Sequence, residues 1–184
     1  DFRGHGESDG VADGPLELDL LAAVTYLRAL WGVDGDRVCY RGSSMGGFYG
    51  LQAALPARFA ALALLCPASE GVLLDAVSDA ERDPDTNDAE TRWERLTLQR
   101  YFGAQDSVRL AAHITCPVLL VHARGDDVVP LDHSLALAGS LAGKTTVLVL
   151  PGGSHTSAQH DPAVHRYCVD WMLETTSLAV PDVT

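Results

Sequence analysis

A serine placed between two glycines is the first feature of this sequence that could carry out chemistry. The stretch Gly42-Ser43-Ser44-Met45-Gly46 fits the pattern G-x-S-x-G, and only Ser44 has a glycine two residues before it and two residues after it. Glycines at these positions permit a tight, strained turn between a strand and a helix, which exposes the serine hydroxyl. The pattern therefore predicts that Ser44 is a nucleophile, with a glycine-rich turn and a capping serine as the structural alternative.

A serine hydroxyl needs a base to remove its proton, and that base needs a partner to orient it. Two loops downstream offer candidates, because Gly125-Asp126-Asp127 follows an apolar run and Gly152-Gly153-Ser154-His155 follows another. If both runs are parallel strands, their carboxyl ends lie on the same edge of the sheet as Ser44. We therefore expect His155 and an acid, Asp126 or Asp127, to meet Ser44 at this edge.

Other acids and histidines have ordinary structural explanations. We expect Asp132 to cap a helix. We expect His133 to start a helix, and His160 and His165 to lie on the solvated face of the last helix or beside it. His122 ends a predicted strand, where we expect a core histidine with its hydrogen bonds satisfied. Arg3 and His5 could border a pocket, although closing the glycine-rich first loop is the simpler role for both.

Alternating helices and strands would position these residues. Apolar spacings and short apolar runs predict helices at 15–31, 45–55, 131–141 and 162–174, and strands at 37–40, 61–66, 117–122 and 146–150. Near-continuous apolar runs of this length suit parallel strands that are buried on both faces. The order predicts an α/β fold in a single domain, with a doubly wound, mostly parallel sheet.

Residues 70–112 separate two of the predicted strands by more than a crossover connection needs. The segment is acidic, yet Trp93, Leu98 and Phe102 provide apolar anchors. Long connections in compact domains tend to be functional or disordered. We predict an inserted, mainly helical lid, with a solvated surface excursion as the alternative.

Composition narrows the classes of partner and cofactor. The 184 residues carry a formal net charge of -12, which disfavours nucleic acid and anionic membrane surfaces as partners. No apolar run approaches the roughly 18 residues of a membrane span. Four cysteines without C-x-x-C spacing are expected to be reduced, and a cytoplasmic location is the default expectation. The sequence contains no H-E-x-x-H, Walker or dinucleotide-binding pattern, so we predict neither a metal nor a cofactor.

Several stretches resemble members of the α/β-hydrolase superfamily. The first ten residues, DFRGHGESDG, look like the loop after the fourth strand of that fold, RVCYRGSSMGG looks like its nucleophile elbow, and VHARGDDVVP resembles its acid turn. The stretch GVDGDRVCYRGSSMGGFYG is particularly similar to dienelactone-hydrolase-like, serine-aminopeptidase-like and prolyl-oligopeptidase-like members. The resemblance covers nearly the whole chain outside the predicted lid.

The resemblance implies a partial α/β-hydrolase fold with a Ser-His-Asp triad. It places the acid at Asp126 rather than Asp127 and the base at His155, although Ser154 stands where a glycine is commoner in the family. The backbone N–H of Met45 would supply one oxyanion donor. The second would come from a loop upstream of residue 1, because we expect the chain to be the C-terminal part of a longer hydrolase that lacks its first strands.

The expected activity is hydrolysis of a small carboxylic ester through an acyl-enzyme, with cleavage of a small amide or peptide as the next choice. Two alternatives use the same scaffold. One is an acyltransferase that transfers the acyl group to another acceptor, and the other is a non-catalytic binding protein, since fold does not determine function.

Overall fold

The computed structural model of the chain describes residues 1–82 and 93–177. A parallel sheet lies at the centre of the described residues, and its strands are adjacent in chain order: β1 (Tyr40–Ser43), β2 (Leu62–Leu65), β3 (Val118–Ala123) and β4 (Thr145–Leu150). All three strand pairings are parallel. The predicted α/β fold is therefore confirmed.

Helices connect the strands and cover both faces of the sheet. In the described ranges they are α1 (Glu17–Ala29), α2 (Met45–Ala57), α3 (Glu70–Arg82), α4 (Arg95–Gly103), α5 (Ser107–Ala111), α6 (Leu131–Ser140), α7 (Ser157–His160) and α8 (Pro162–Ser177). None of these helices combines the length and the apolar character that a membrane crossing requires.

The two faces of the sheet bury alternate residues of the central strands. Leu62 and Leu64 of β2 pack into a cluster with residues of α1, α2, α5 and α6. Their neighbours Ala63 and Leu65 pack on the opposite face, where α8 contributes Cys168. Burial on both faces is the arrangement expected for a doubly wound sheet, and it explains why these strands read as continuous apolar runs.

The first strand begins later than its apolar pattern predicts. Residues 35–37 form a short 3-10 helix, capped by the Asp34 carboxylate, which accepts a hydrogen bond from the Asp36 N–H. Strand β1 spans Tyr40–Ser43 instead of 37–40. The prediction was wrong here because the half-buried positions of β1 carry the polar residues Arg41 and Ser43, which hydrogen-bond to Gln159 instead of forming part of an apolar run.

The described part of the 70–112 segment is helical, as predicted, and consists of α3, α4 and α5. Phe102 of α4 packs edge-on against Phe48 of α2, with 5.5 Å between ring centroids. Beside this contact, the Glu94 N–H donates to the Ala12 carbonyl at 2.8 Å. The most acidic part of the segment, residues 83–92, lies outside the described residues.

Candidate active site

Ser44 lies at the turn between β1 and α2 in a strained backbone conformation. Its φ is 50° and its ψ is -119°, a combination that residues other than glycine rarely adopt. Three hydrogen bonds hold this backbone: the Ser44 N–H donates to Leu65 at 2.9 Å, and the Ser44 carbonyl accepts from Phe48 at 3.1 Å and from Ala68 at 3.0 Å. The turn therefore presents the serine side chain in the way that the G-x-S-x-G pattern predicts.

Two glycines allow α2 to approach the sheet closely at this turn. A Cβ atom at Gly42 would lie 2.5 Å from the Gly46 carbonyl oxygen, and one at Gly47 would lie 2.8 Å from the Pro67 side chain. By contrast, the nearest atom to a Cβ at Gly46 would be the Tyr40 hydroxyl at 3.5 Å, an ordinary contact. Close packing of helix and strand therefore depends on Gly42 and Gly47.

His155 and Asp126 meet Ser44 through a continuous chain of hydrogen bonds. The Ser44 Oγ lies 2.8 Å from His155 Nε2, and His155 Nδ1 lies 2.8 Å from Asp126 Oδ2. Because an ionised carboxylate only accepts hydrogen bonds, Nδ1 carries the ring proton and Nε2 is free to accept from the serine hydroxyl. The residues come from the ends of β1, β3 and β4, so the structure brings together the three side chains singled out in the sequence.

Asp126, and not its exposed neighbour Asp127, is held against the imidazole. Its Oδ1 accepts from the N–H groups of Val128 at 2.9 Å and Val129 at 2.8 Å, and only 1% of its side chain is exposed. Burial alone would raise the pKa of this carboxyl, but the hydrogen bonds from Val129, His155 and Val128 outweigh burial and lower the pKa. The group is therefore kept ionised as an acceptor.

Two buried side chains behind Asp126 were not singled out as part of the site in the sequence. His122 is a satisfied core histidine, as predicted, with Nδ1 2.8 Å from the Ser134 hydroxyl and Nε2 3.0 Å from the Val129 carbonyl, yet Nε2 also lies 3.5 Å from Asp126 Oδ2. Cys66 follows β2 and its sulfur lies within 4.8 Å of an Asp126 carboxylate oxygen, and burial raises the pKa of its thiol to about 12. In the sequence, the one feature that pointed to His122 and Cys66 as part of the site is that each lies at the end of a predicted strand.

The other candidates lie outside the hydrogen-bonded chain. Met45 follows Ser44 and begins α2. Ser43 points to α7 instead, where its hydroxyl donates to Gln159 Oε1 at 2.7 Å. Arg3 donates to the Pro15 carbonyl at 2.8 Å and His5 Nδ1 lies 3.1 Å from the Arg3 carbonyl, so both close the first loop.

The predictions for the remaining polar residues are mostly confirmed. His160 and His165 are exposed, and His133 lies in the first turn of α6, where burial lowers its pKa. Asp132 was wrongly predicted to be a helix cap, because α6 is preceded by Pro130 and shows no side-chain cap. All four cysteines are unpaired in the structure.

A small apolar cavity lies between Met45 and the helices of the insertion. It has room for about 20 Å³, and its lining includes Leu73 and Val77 of α3 and Leu98 and Phe102 of α4. A cavity of this size accommodates roughly one water-sized group.

Comparison with known sequences identifies a family and several relatives. Residues 17–178 match the prolyl oligopeptidase family. An uncharacterised protein of Mycobacterium tuberculosis is 28% identical over 163 residues, covering 86% of this chain and 52% of that protein. Alpha/beta hydrolase domain-containing protein 17B of Xenopus laevis is 26% identical over 160 residues, covering 86% of this chain and 50% of that protein. The chain thus spans about half the length of the curated relatives it matches.

Solved structures share the same arrangement of strands and helices. Est1E of Butyrivibrio proteoclasticus, solved with bound ferulic acid, is 25% identical with a TM-score of 0.77, covering 96% of this chain and 76% of that one. A monoacylglycerol lipase of Paleococcus ferrophilus is 19% identical with a TM-score of 0.72, covering 95% and 82%. The second likeness shows the fold alone.

Proposed function

The chain belongs to the prolyl oligopeptidase family within the α/β-hydrolase superfamily, and on that premise we propose that it is a serine hydrolase that cleaves carboxylic esters. The observation that carries the proposal is the chain of 2.8 Å contacts from Ser44 through His155 to Asp126. A non-catalytic binding protein has no need of an activated hydroxyl, a correctly oriented base and a buried carboxylate in one line.

In the proposed reaction, the Ser44 oxygen attacks the substrate carbonyl carbon while His155 Nε2 takes the hydroxyl proton. Asp126 keeps the ring in position and stabilises the imidazolium that forms. The N–H of Met45 donates to the developing oxyanion. His155 then gives its proton to the departing alcohol, which leaves Ser44 acylated. Water then attacks the carbonyl carbon of the acyl-enzyme while His155 takes a proton from it, and the carboxylic acid is released.

The likeness to Est1E, which was solved with ferulic acid, supports a substrate whose cleavage releases a small carboxylic acid. Both an ester and an amide would do so, and we propose the ester first because an alcohol leaves an acyl carbonyl more readily than an amine. The match to the prolyl oligopeptidase family favours a small peptide or amide as the second candidate. An acyltransferase would use the same acyl-enzyme, so adding an alcohol acceptor and comparing transfer with hydrolysis separates the two.

The insertion supports a substrate with a short acyl group. Helices α3 and α4 line a cavity that reaches Met45, the residue after Ser44, and has room for roughly one water-sized group, so an acyl group that enters it from Ser44 must be short. We therefore assign to these helices the role of a lid that limits the acyl group.

A fluorophosphonate probe tests the nucleophile directly, because it reacts with an activated serine. We expect labelling at Ser44 together with hydrolysis of p-nitrophenyl acetate, and Ser44→Ala should abolish both. Ser43→Ala is the matched control and should keep both, since its hydroxyl faces Gln159. Labelling that survives Ser44→Ala would refute the assignment.

A further inference from the structure

A second set of chemically related groups overlaps the proposed active site. The Cys66 thiol, a carboxylate oxygen of Asp126 and one ring nitrogen of His155 all lie within 4.8 Å of one another. The three residues follow β2, β3 and β4, which are adjacent parallel strands, so the sheet itself assembles the group. Within residues 1–82 and 93–177, this is the one cluster of three such side chains at metal-ligand distances.

Thiolate, imidazole and carboxylate are the ligands that zinc uses in proteins, with bonds of about 2.0–2.3 Å. Ligand atoms around a tetrahedral zinc are therefore about 3.3–3.8 Å apart. The cluster is close to this geometry, because the 2.8 Å contact between His155 and Asp126 needs to lengthen slightly and the widest separation, at most 4.8 Å, needs to shorten. We propose that Cys66, Asp126 and His155 form an inhibitory site for a thiophilic divalent cation such as Zn²⁺ or Cd²⁺.

Binding at this site exchanges protons in a defined way. The S–H bond of Cys66 breaks, its proton leaves to solvent, and the sulfur binds the cation. Asp126 already carries its charge. The Nδ1 atom of His155 gives up its hydrogen and coordinates the cation, and a proton is taken up at Nε2, so the ring stays neutral in the other tautomer. One proton is therefore released for each cation bound.

This change of tautomer explains why the bound cation would inhibit. In the cation-free site, Nε2 accepts the Ser44 proton across a 2.8 Å contact. With hydrogen on Nε2, the ring donates to Ser44 and no longer serves as its base. The wrong tautomer in a triad of this kind lowers turnover by about ten-thousandfold. Inhibition rests on the proposed hydrolase function, whereas binding of the cation does not.

The same ligand set selects against hard cations. Mg²⁺ and Ca²⁺ prefer several oxygen ligands, and a sulfur–nitrogen–oxygen set suits zinc and cadmium instead. Cys66 is fully buried and 12% of the His155 side chain is exposed, so a cation reaches the cluster from the side of His155. A cation would therefore enter through the mouth of the proposed active site.

Titration with Cd²⁺ tests binding without any need for catalysis. In metal-free Ser44→Ala, we expect a thiolate-to-cadmium charge-transfer band in the ultraviolet that saturates at one equivalent. The band should be absent when Cys66→Ala is added. It should remain with Cys168→Ala, the matched control, because Cys168 is equally buried but belongs to α8. A band that survives the loss of Cys66, or no band at all, would overturn the proposed site.

Inhibition by Zn²⁺ is then measured on variants that retain Ser44, each relative to its own metal-free rate. Cys66→Ala should raise the half-inhibitory concentration more than about tenfold, because loss of even a hydrogen-bond partner of a metal ligand costs about 10–100-fold in affinity. Cys168→Ala should leave the sensitivity to Zn²⁺ unchanged. Mg²⁺ in place of Zn²⁺ should not inhibit. If Cys66→Ala fails to fold, Cys66→Ser keeps a similar volume and a donor but loses the sulfur. Unchanged zinc sensitivity in the folded Cys66 variant would contradict the proposal. A cadmium band without hydrolysis in any variant would uphold the site and refute the hydrolase function.

Discussion

The sheet edge that carries Ser44 and the helical insertion above it are held together by different forces. At the edge, directional hydrogen bonds hold each group: Asp126 accepts two backbone N–H groups and one imidazole. In the insertion, α4 packs on α2 through aromatic rings, with Phe102 5.5 Å and Tyr101 6.4 Å from Phe48. Directional bonds fix angles and distances, whereas apolar packing mainly fixes volume.

This difference suggests a division of labour between the two regions. Proton transfer from Ser44 to His155 depends on geometry at the scale of tenths of an ångström, which hydrogen bonds to rigid strand ends supply. Selection by size depends on the space left between side chains, which α3 and α4 can change without disturbing the strand ends. We therefore expect substitutions at the edge to alter rate and those in the insertion to alter preference.

The largest effect is expected from Asp126→Asn. The amide favours the wrong tautomer of His155, so turnover of p-nitrophenyl acetate should fall by about ten-thousandfold with the fold retained. Steady-state kinetics and circular dichroism check the two parts. Asp127→Asn is the control, because Asp127 is exposed and should tolerate the change. A greater loss of turnover with Asp127→Asn than with Asp126→Asn would mean that Asp126 is not the acid of the triad.

Gly47→Ala should have the next largest effect. The added Cβ would lie 2.8 Å from Pro67, so α2 and the turn at Ser44 must shift. Misplacement approaching 1 Å costs about a hundredfold in rate, which we take as the upper bound for the fall in kcat. Gly139→Ala, in α6 with open space around the added atom, is the control. Equal rates for the two variants would show that close packing of α2 is unnecessary.

Leu98→Ala tests whether the insertion limits the acyl group. Removing this side chain enlarges the cavity, so the ratio of butanoate to acetate ester hydrolysis should rise about tenfold. The substitution should also cost about 2–5 kcal/mol of unfolding free energy. Leu137→Ala in α6 should destabilise the protein similarly, because Leu137 is also buried, but it lies outside this cavity. A ratio that changes equally in both variants would argue against a lid.

Tyr101→Phe should have the smallest effect. The change keeps the ring but removes a 2.7 Å hydrogen bond from the Tyr101 hydroxyl to Glu17. We expect the free energy of unfolding to fall by about 1.5–3 kcal/mol, because the acceptor is a carboxylate, with kcat for p-nitrophenyl acetate almost unchanged. Urea denaturation and kinetics on the same preparation measure both. A large loss of turnover would mean that this polar contact, and not packing alone, positions the insertion.

Much of the fold could be predicted because the central strands are buried on both faces. Burial requires apolar residues, so β2 and β3 were visible as apolar runs within a few residues of their bounds. Strand β4 lies at an edge of the sheet and is only partly buried, but it was visible through its apolar run at 147–150. Strand β1 was displaced in the prediction because two of its paired residues are polar: Arg41 and Ser43 both hydrogen-bond to Gln159 of α7. An apolar run indicates which residues are buried, but it does not indicate which backbone groups pair in the sheet.

The sequence by itself determined the order of the elements and the small set of side chains able to act as nucleophile, base and acid. The glycines near Ser44 and His155 and the boundaries between strands and loops are visible in the sequence, because they depend on residues that are neighbours along the chain. Only the tertiary structure decided which of two neighbouring aspartates faces His155, and that Cys66 lies behind it. Those contacts join residues far apart in the chain, and their distances follow from strand register and backbone hydrogen bonds that no single residue type encodes.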